Sequence, residues 1–408
     1  MTSAEAHPSR RVALGLLGAV PLTAGGVTAF AEPAAAAEEF AGNGRIPGDV
    51  RPGGAYDRFL KKLADEDGFS GTVLIKHHDR TVLSRSYGMA DKGRAIPNRA
   101  GTIFNLASAS KPFTALSILQ LVQANRLKLT DKIGDHLDGF PAETARHVMI
   151  HHLLTHTSGL ESDVHLPDRI TNSVQEERAL REMVHRAAKP VFTPGGDHAY
   201  SSVGMSILGE IVEKVGGGGS FHEYVAENVF RRAGMTDSAY YTRPDWLSNE
   251  RIAHPYMWQE DGTRVDAVRN LDKGAVLNGG KGTNAARAWI GSGGGGGFST
   301  APDLAAFARA LLSGRLLDPA LTELFLSPKY PTTPPGGGER PGQGFSAYGV
   351  VMSLIGGRFL AGHGGGIGGG NTNWTIYRDR GWMGIILCNY DLDIQSIIAQ
   401  ERTAILGL

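Results

Sequence analysis

Phe104-Asn105-Leu106-Ala107-Ser108-Ala109-Ser110-Lys111-Pro112-Phe113-Thr114-Ala115 carries the one Ser-x-x-Lys of this 408-residue chain. Residues 113–122 continue it with little polar interruption, which predicts a helix buried on nearly every side. Positions three apart share a helix face, so the Lys111 ammonium can hang beside the Ser108 hydroxyl. A serine hydroxyl is a weak nucleophile until a neighbouring base takes its proton. Lysine is such a base when its amine is neutral, the form that burial favours. Pro112 stands early in the helix, where its missing N–H costs least. A helix start near Ser108 also puts that residue's backbone N–H among unsatisfied donors able to face a developing oxyanion. A bare Ser-x-x-Lys is common surface decoration as well, so its meaning depends on the rest of the chain.

Upstream, Tyr56, Phe59, Leu60 and Leu63 recur at helical spacing, and two β-rich runs, 71–76 and 80–87, flank His77-His78-Asp79 as a hairpin. Downstream, residues 127–225 read as helices and loops, and 240–290 show no period. The last third reads as strands at 348–354, 357–361, 373–377 and 382–388, then a closing helix bearing Ile394, Ile397, Ile398 and Ile405. The run 382–388 is apolar throughout, the mark of a strand covered on both faces. Strands at both ends with helices between them imply one sheet assembled from both termini, with a helical domain inserted.

Composition narrows the function. With 41% hydrophobic residues the chain can bury a large core. Forty-one basic residues balance 41 acidic ones, so no global charge draws it to nucleic acid or anionic lipid. The single Cys388 excludes an internal disulfide framework and a cysteine zinc site. Ser9-Arg10-Arg11 before an apolar stretch at 12–30 and an Ala29-Phe30-Ala31 triplet reads as a cleaved twin-arginine export signal over 1–37, with a flexible lead-in over 38–54. No stable membrane span is expected in the mature protein.

Three further clusters are chemical candidates. His147 with His151, and His152 with His156, are four apart, but no glutamate stands between them as a zinc protease requires; packing and a turn-bound His156 are the simpler reading, and no metal is assigned. Tyr200-Ser201-Ser202 follows the turn Pro194-Gly195-Gly196 and opens an apolar run at 203–215; a tyrosine there is either a packed ring with a wet hydroxyl or a site residue. Gly362-His363-Gly364-Gly365-Gly366-Ile367-Gly368-Gly369-Gly370 admits three readings. A dinucleotide loop lacks its following helix. A lipase oxyanion motif lacks its Gly-x-Ser-x-Gly partner. The third is a strand edge whose glycines let a substrate lie against the backbone, with His363 beside it.

Taken in order, Ser108-x-x-Lys111, Tyr200-Ser201-Ser202 and His363-Gly364-Gly365 resemble the three motifs of the serine β-lactamase-like superfamily: class C β-lactamases, D-alanyl-D-alanine carboxypeptidases and related carboxylesterases. Residues 153–160, Gly234-Met235-Thr236-Asp237 and Gly297-Phe298-Ser299-Thr300 with Asp303-Leu304 are similar to other recurring phrases of that family. The resemblance covers residues 55–408. It implies an α/β fold with a mixed, mainly antiparallel sheet (about 55–107 and 291–408) flanked by helices, and a helical insertion (about 108–240). It makes Ser108 the nucleophile, Lys111 its activating partner and Tyr200 the proton shuttle to the leaving group. Backbone N–H groups of Ser108 and Gly366 would form the oxyanion hole, and Ser202, His363 and Gly365 would border a small-molecule or peptide acyl substrate. No cofactor is implied.

Two departures bear on substrate. Peptidases and lactamases of this family commonly carry Asn where Ser202 stands, and class C lactamases usually carry Lys where His363 stands. The expectation is a D-alanyl-D-alanine carboxypeptidase-like hydrolase, with carboxylesterase as the alternative, then β-lactamase, then a catalytically idle penicillin- or peptidoglycan-binding sensor.

Overall fold

The computed structural model describes residues 46–162, 172–276, 282–332 and 342–407. The expected export signal lies outside the described residues. Among the described residues, one sheet of eight strands draws on both the front and the back of the sequence. The front supplies β1 (Gly71–His77) and β2 (Arg80–Tyr87). The back supplies β3 (Tyr330–Thr332), β4 (Gln343–Ser346), β5 (Val351–Ile355), β6 (Arg358–Ile367), β7 (Gly370–Tyr377) and β8 (Trp382–Cys388). Their spatial order is β2-β1-β8-β7-β6-β5-β4-β3, and every pairing is antiparallel.

The pleat explains the sequence of the central strands. Alternate residues point to opposite faces. Leu74, Ile385 and Leu387 enter the core around the Ser108 helix, whereas Val73, Ile75, Ile386 and Cys388 enter a second core on the other side. That is why β8 is apolar without alternation. Ile385, Ile386 and Leu387 are fully buried, each burial worth about 1.5–3 kcal/mol.

Helices α1 (Ala55–Asp65) and α6 (Ile394–Leu406) pack together over the second core. On the first core lie α2 (Lys111–Gln123), buried from Lys111 to Leu121, α4 (Ser202–Val215) against it, and α5 (Ala301–Leu312) on β1 and β8. Helix α3 (Ser173–Ala187) packs on α4. Among the described helices, none is long and apolar enough to cross a membrane.

Four stretches are corrected or made more definite by the structure. Residues 46–54 are not a loose lead-in: Ile46 and Val50 are buried in the second core, and Arg51 donates to Ile46 O at 2.6 Å. Within 127–225, the stretch 148–160 is a short helix, Ile150–Leu154, that ends in a turn where His156 takes φ +57°. Of the three readings of the glycine run, the strand edge is the one found: the run extends β6 to Ile367. The described residues of 240–290 hold a short helix (Arg243–Ser248) and a small hairpin (Tyr256–Trp258 with Arg264–Asp266), and their Trp246 and Met257 share a small core with Ile103 and Phe298.

Candidate active site

The turn that carries Ser108 is held from two directions. Ala107 has φ +49°, unusual for a residue with a Cβ, and starts a tight turn, Ala107–Ser110, that runs into α2. From β7, Thr372 Oγ1 donates to Leu106 O (2.9 Å) and Trp374 Nε1 donates to Ala109 O (3.1 Å). From the glycine strap 293–297, Gly296 N donates to Ala107 O (3.1 Å), while Leu106 N donates to Gly297 O (2.8 Å). Strand β6 completes the enclosure. A Cβ on Gly365 would collide with Leu106 O and stand 2.9 Å from Ala109 N, so glycine is what lets β6 approach the Ser108 turn.

Lys111 is fully buried beside this turn. Its Nζ donates to Ser108 Oγ at 2.9 Å, to Ser202 Oγ at 3.1 Å and to Gly294 O at 2.5 Å. Ser202 therefore sits in the site as a partner of the lysine. Gly294 is a participant that the sequence reading misses, since a carbonyl on a glycine run leaves no side chain to announce it.

Tyr200 and His363 converge on the same point. Lys111 Nζ lies 4.8 Å from the centre of the Tyr200 ring, and the Tyr200 and His363 ring centres are 6.4 Å apart. His156 packs against the tyrosine, 4.6 Å between centres, and its Nδ1 accepts the Ser201 N–H at 3.2 Å. Burial, with Lys111 nearby, keeps the His156 imidazole well below its ordinary proton affinity. His363 is buried too, and its burial together with the Lys111 charge pushes it down to about 4. Its Nδ1 donates to Gly364 O at 2.6 Å, which fixes Nε2 as a buried lone pair with no hydrogen-bond partner among the described residues.

Beyond His363 the sheet opens. Strand β6 pairs with β5 only as far as Gly362, while its pairing with β7 continues to Ile367, so the residues 363–367 present one edge unpaired among the described strands. Gly364 and Gly366 are exposed there. Ser108 also borders a cavity of about 230 Å³ walled by Leu180, Tyr241, Trp246, Trp289, Phe298 and Ser202. Ser108 thus has polar neighbours in Tyr200 and His363 and an aromatic-lined cavity.

The remaining histidines go to separate partners. His147 Nε2 lies 3.3 Å from Glu143, His151 Nδ1 2.8 Å from the Tyr348 hydroxyl, and His152 Nδ1 accepts the Met149 N–H at 3.2 Å. A different group, Asp91, His254 and Asp266, brings three ligand-type atoms within 4.8 Å of one another. Arg269 stands among them, donating to Asp91 Oδ1 at 2.8 Å and Oδ2 at 2.6 Å and to Asp266 Oδ2 at 2.5 Å, so a guanidinium already occupies the place of a cation.

An amine buried against a serine hydroxyl on an apolar helix, inside an antiparallel sheet-and-helix frame, puts the protein among serine hydrolases of the β-lactamase fold. The Beta-lactamase family profile matches residues 56–405, and the chain belongs to that family. It is 32% identical over 204 residues to Penicillin-binding protein 4* of Bacillus subtilis (strain 168), covering 48% of this chain and 43% of that protein. It is 32% identical over 212 residues to Esterase EstB of Burkholderia gladioli, covering 48% and 53%. The crystal structure of a penicillin-binding protein from Bacillus halodurans matches with TM-score 0.69 at 29% identity, over 84% of this chain and 98% of that one. The chain spans about half the length of the curated relatives it matches.

Proposed function

We propose that this chain is an exported hydrolase that forms an acyl-enzyme on Ser108 and acts on carboxylic esters and small amides. The observation that carries the reading is the contact of the buried Lys111 Nζ with Ser108 Oγ at 2.9 Å. Ser108 Oγ attacks the substrate carbonyl carbon while its proton passes to the Lys111–Tyr200 pair, which titrates as a unit. The oxyanion is held by the backbone N–H groups of Ser108 and Gly366. Tyr200 returns the proton to the departing alcohol or amine, and water releases the acyl group by the reverse path.

The preference for esters rests on two side chains. His363 is neutral above about pH 4, so it does not supply the cation a free carboxylate needs. Ser202 spends its hydroxyl on Lys111, where an asparagine would hold a substrate amide. The second reading, D-alanyl-D-alanine carboxypeptidase-like hydrolysis, is favoured by the similarity to Penicillin-binding protein 4*. A short-chain nitrophenyl ester and a peptide ending in D-Ala-D-Ala separate the two. Turnover of the ester far above the peptide is the expected result, and the opposite ranking would replace the first reading by the second. Absence of a fluorophosphonate adduct on Ser108 would remove both. Export is tested by Arg10→Lys with Arg11→Lys, which should retain the protein inside the cell.

A further inference from the structure

The strap that gives Lys111 its carbonyl partner runs through Gly293-Gly294-Gly295-Gly296-Gly297, five residues without side chains. Glycine backbone has more freedom to lose than any other, so the position of this strap has to be imposed by its hydrogen bonds. Inside the strap, Thr114 Oγ1 donates to Gly293 O at 2.9 Å, and Ser292 and Gly295 exchange backbone bonds of 2.8 and 3.1 Å. The segment leading into the strap is held by two side chains from elsewhere. His222 Nε2 donates to Gly291 O at 2.8 Å. Glu176, on α3 and 3% exposed, accepts the N–H groups of both Trp289 and Ile290 on its Oε2, the latter at 2.9 Å.

We propose that Glu176 is a positioning residue for the catalytic lysine: its carboxylate anchors the strap 289–297 where Gly294 meets Lys111 Nζ. The role rests on the Ser108–Lys111 hydrolase reading. Gly294 lies only a few residues beyond the anchored Ile290, so a loss of grip at Glu176 is transmitted along flexible backbone directly to the amine's acceptor. Carboxylates accept two N–H donors well because they are acceptors on every lone pair; a protonated carboxyl turns one oxygen into a donor.

The grip is also sensitive to pH. Burial raises the Glu176 carboxyl to about 7, against the opposing pull of the Ile290 and Trp289 N–H groups and of Arg243. The other ionisable groups around it, lining the adjoining cavity, are Glu177 and Arg181 on its own helix, Glu210 and Glu213 on α4, and His222. Above pH 7 Glu176 is ionised and the strap is held; below it the grip weakens.

The experiment measures two things on the full chain: the rate at which a fluorophosphonate labels Ser108, from pH 5.5 to 8.5, and amide hydrogen exchange across 289–297. Glu176→Ala should slow labelling, on the order of 10²-fold for a catalytic group displaced by about 1 Å, and speed exchange in the strap while exchange in β1, β7 and β8 stays as in the wild type. Glu176→Gln, which keeps an acceptor but cannot ionise, should recover most of the labelling rate and lose the limb near pH 7. Equal exchange or equal labelling rates in Glu176→Ala and the wild type would overturn the role, as would a limb near pH 7 that survives in Glu176→Gln. A wild type that takes no label at all would instead remove the hydrolase reading, and the positioning role with it.

Discussion

Two cationic side chains in this fold are compensated in opposite ways. Arg269 lies between carboxylates: Asp91 and Asp266 both accept from it, and His254 Nδ1 closes the group at 2.8 Å from Asp266. Among the partners of Lys111 are two serine hydroxyls, a peptide carbonyl and the face of the Tyr200 ring. The first arrangement holds charge in place. Against the upward push of burial, hydrogen bonds from Arg269 and the Arg94 amide keep the Asp91 carboxyl at about 2. The second puts an amine where a proton can be exchanged with a nucleophile. An Asp-His-Asp cluster looks more like catalytic machinery on paper than a lone Ser–Lys pair does, yet its charges are already matched.

The difference can be broken from either end, and the largest effect is at the serine. Ser108→Ala and Lys111→Ala should each lower ester turnover by about 10⁴-fold or more, the range for removing one member of a catalytic unit. Ser158→Ala, which removes a buried hydroxyl that accepts the Leu160 N–H, should leave it within a factor of a few. If Lys111→Ala kept substantial activity, the amine would be structural and the comparison would collapse. Arg269→Ala acts at the other end. It leaves Asp91 with the more distant Arg94 Nε at 3.7 Å and Asp266 with His254, and because 34% of the Arg269 side chain is exposed the loss should lie below the range of about 3–5 kcal/mol for a fully buried pair. Urea unfolding at pH 7 should show that loss, with the labelling rate of Ser108 in the folded fraction unchanged. Lowering the pH through the window from about 4 to 2 removes the same contribution from the wild type, because a depressed carboxyl stabilises only while it is ionised.

How much of this is legible in the sequence follows the range of the interactions. Helix α2 and strand β8 are plain, because their apolar patterns are local consequences of burial on all sides. The hairpin β1–β2 is plain because two β-rich runs flank a short polar turn. The coming together of Ser108, Tyr200 and His363 is legible only through the order of three motifs, since pairing of distant segments leaves no periodicity. Gly294, His156 and Glu176 do not announce themselves as site members. Gly294 acts through its main chain. His156 reads as a ring bonded to backbone at its own turn, but its ring nitrogen takes the N–H of Ser201, 45 residues away, and its place against Tyr200 depends on the same fold-level approach. Glu176 sits on an amphipathic helix among Glu177, Arg178 and Arg181, where a buried carboxylate has the same spelling as a solvated one. Residues 240–290 are opaque because their pieces are three to six residues long and paired across turns.

A third buried group sharpens the comparison at smaller amplitude. Glu401, on α6 and fully buried, has no cation bonded to its carboxylate in the manner of Arg269: Oε1 accepts the Tyr377 hydroxyl at 2.9 Å, and Oε2 has no partner among the described residues. Gly384 on β8 makes the room, because a Cβ there would collide with the carboxylate. Burial raises this carboxyl to about 7, with the Tyr377 hydroxyl and Arg402 pulling the other way. For an acid raised in the folded state, the folded chain holds the proton that the unfolded chain gives up, so stability falls as pH rises from about 4.5 to 7 and is level above that. The isosteric Glu401→Gln keeps an acceptor for Tyr377 and removes the titration. Measured against the wild type, it should be nearly neutral at pH 5 and more stable at pH 8, by on the order of 2 kcal/mol, because moving a titration midpoint by one pH unit is worth about 1.36 kcal/mol. Glu176 titrates in the same window, so the wild-type curve contains both, and the difference between wild type and Glu401→Gln isolates one. A difference that does not change between pH 5 and 8 would mean that Glu401 is compensated after all, and that the sheet's far face matches its charges as fully as the Arg269 cluster does.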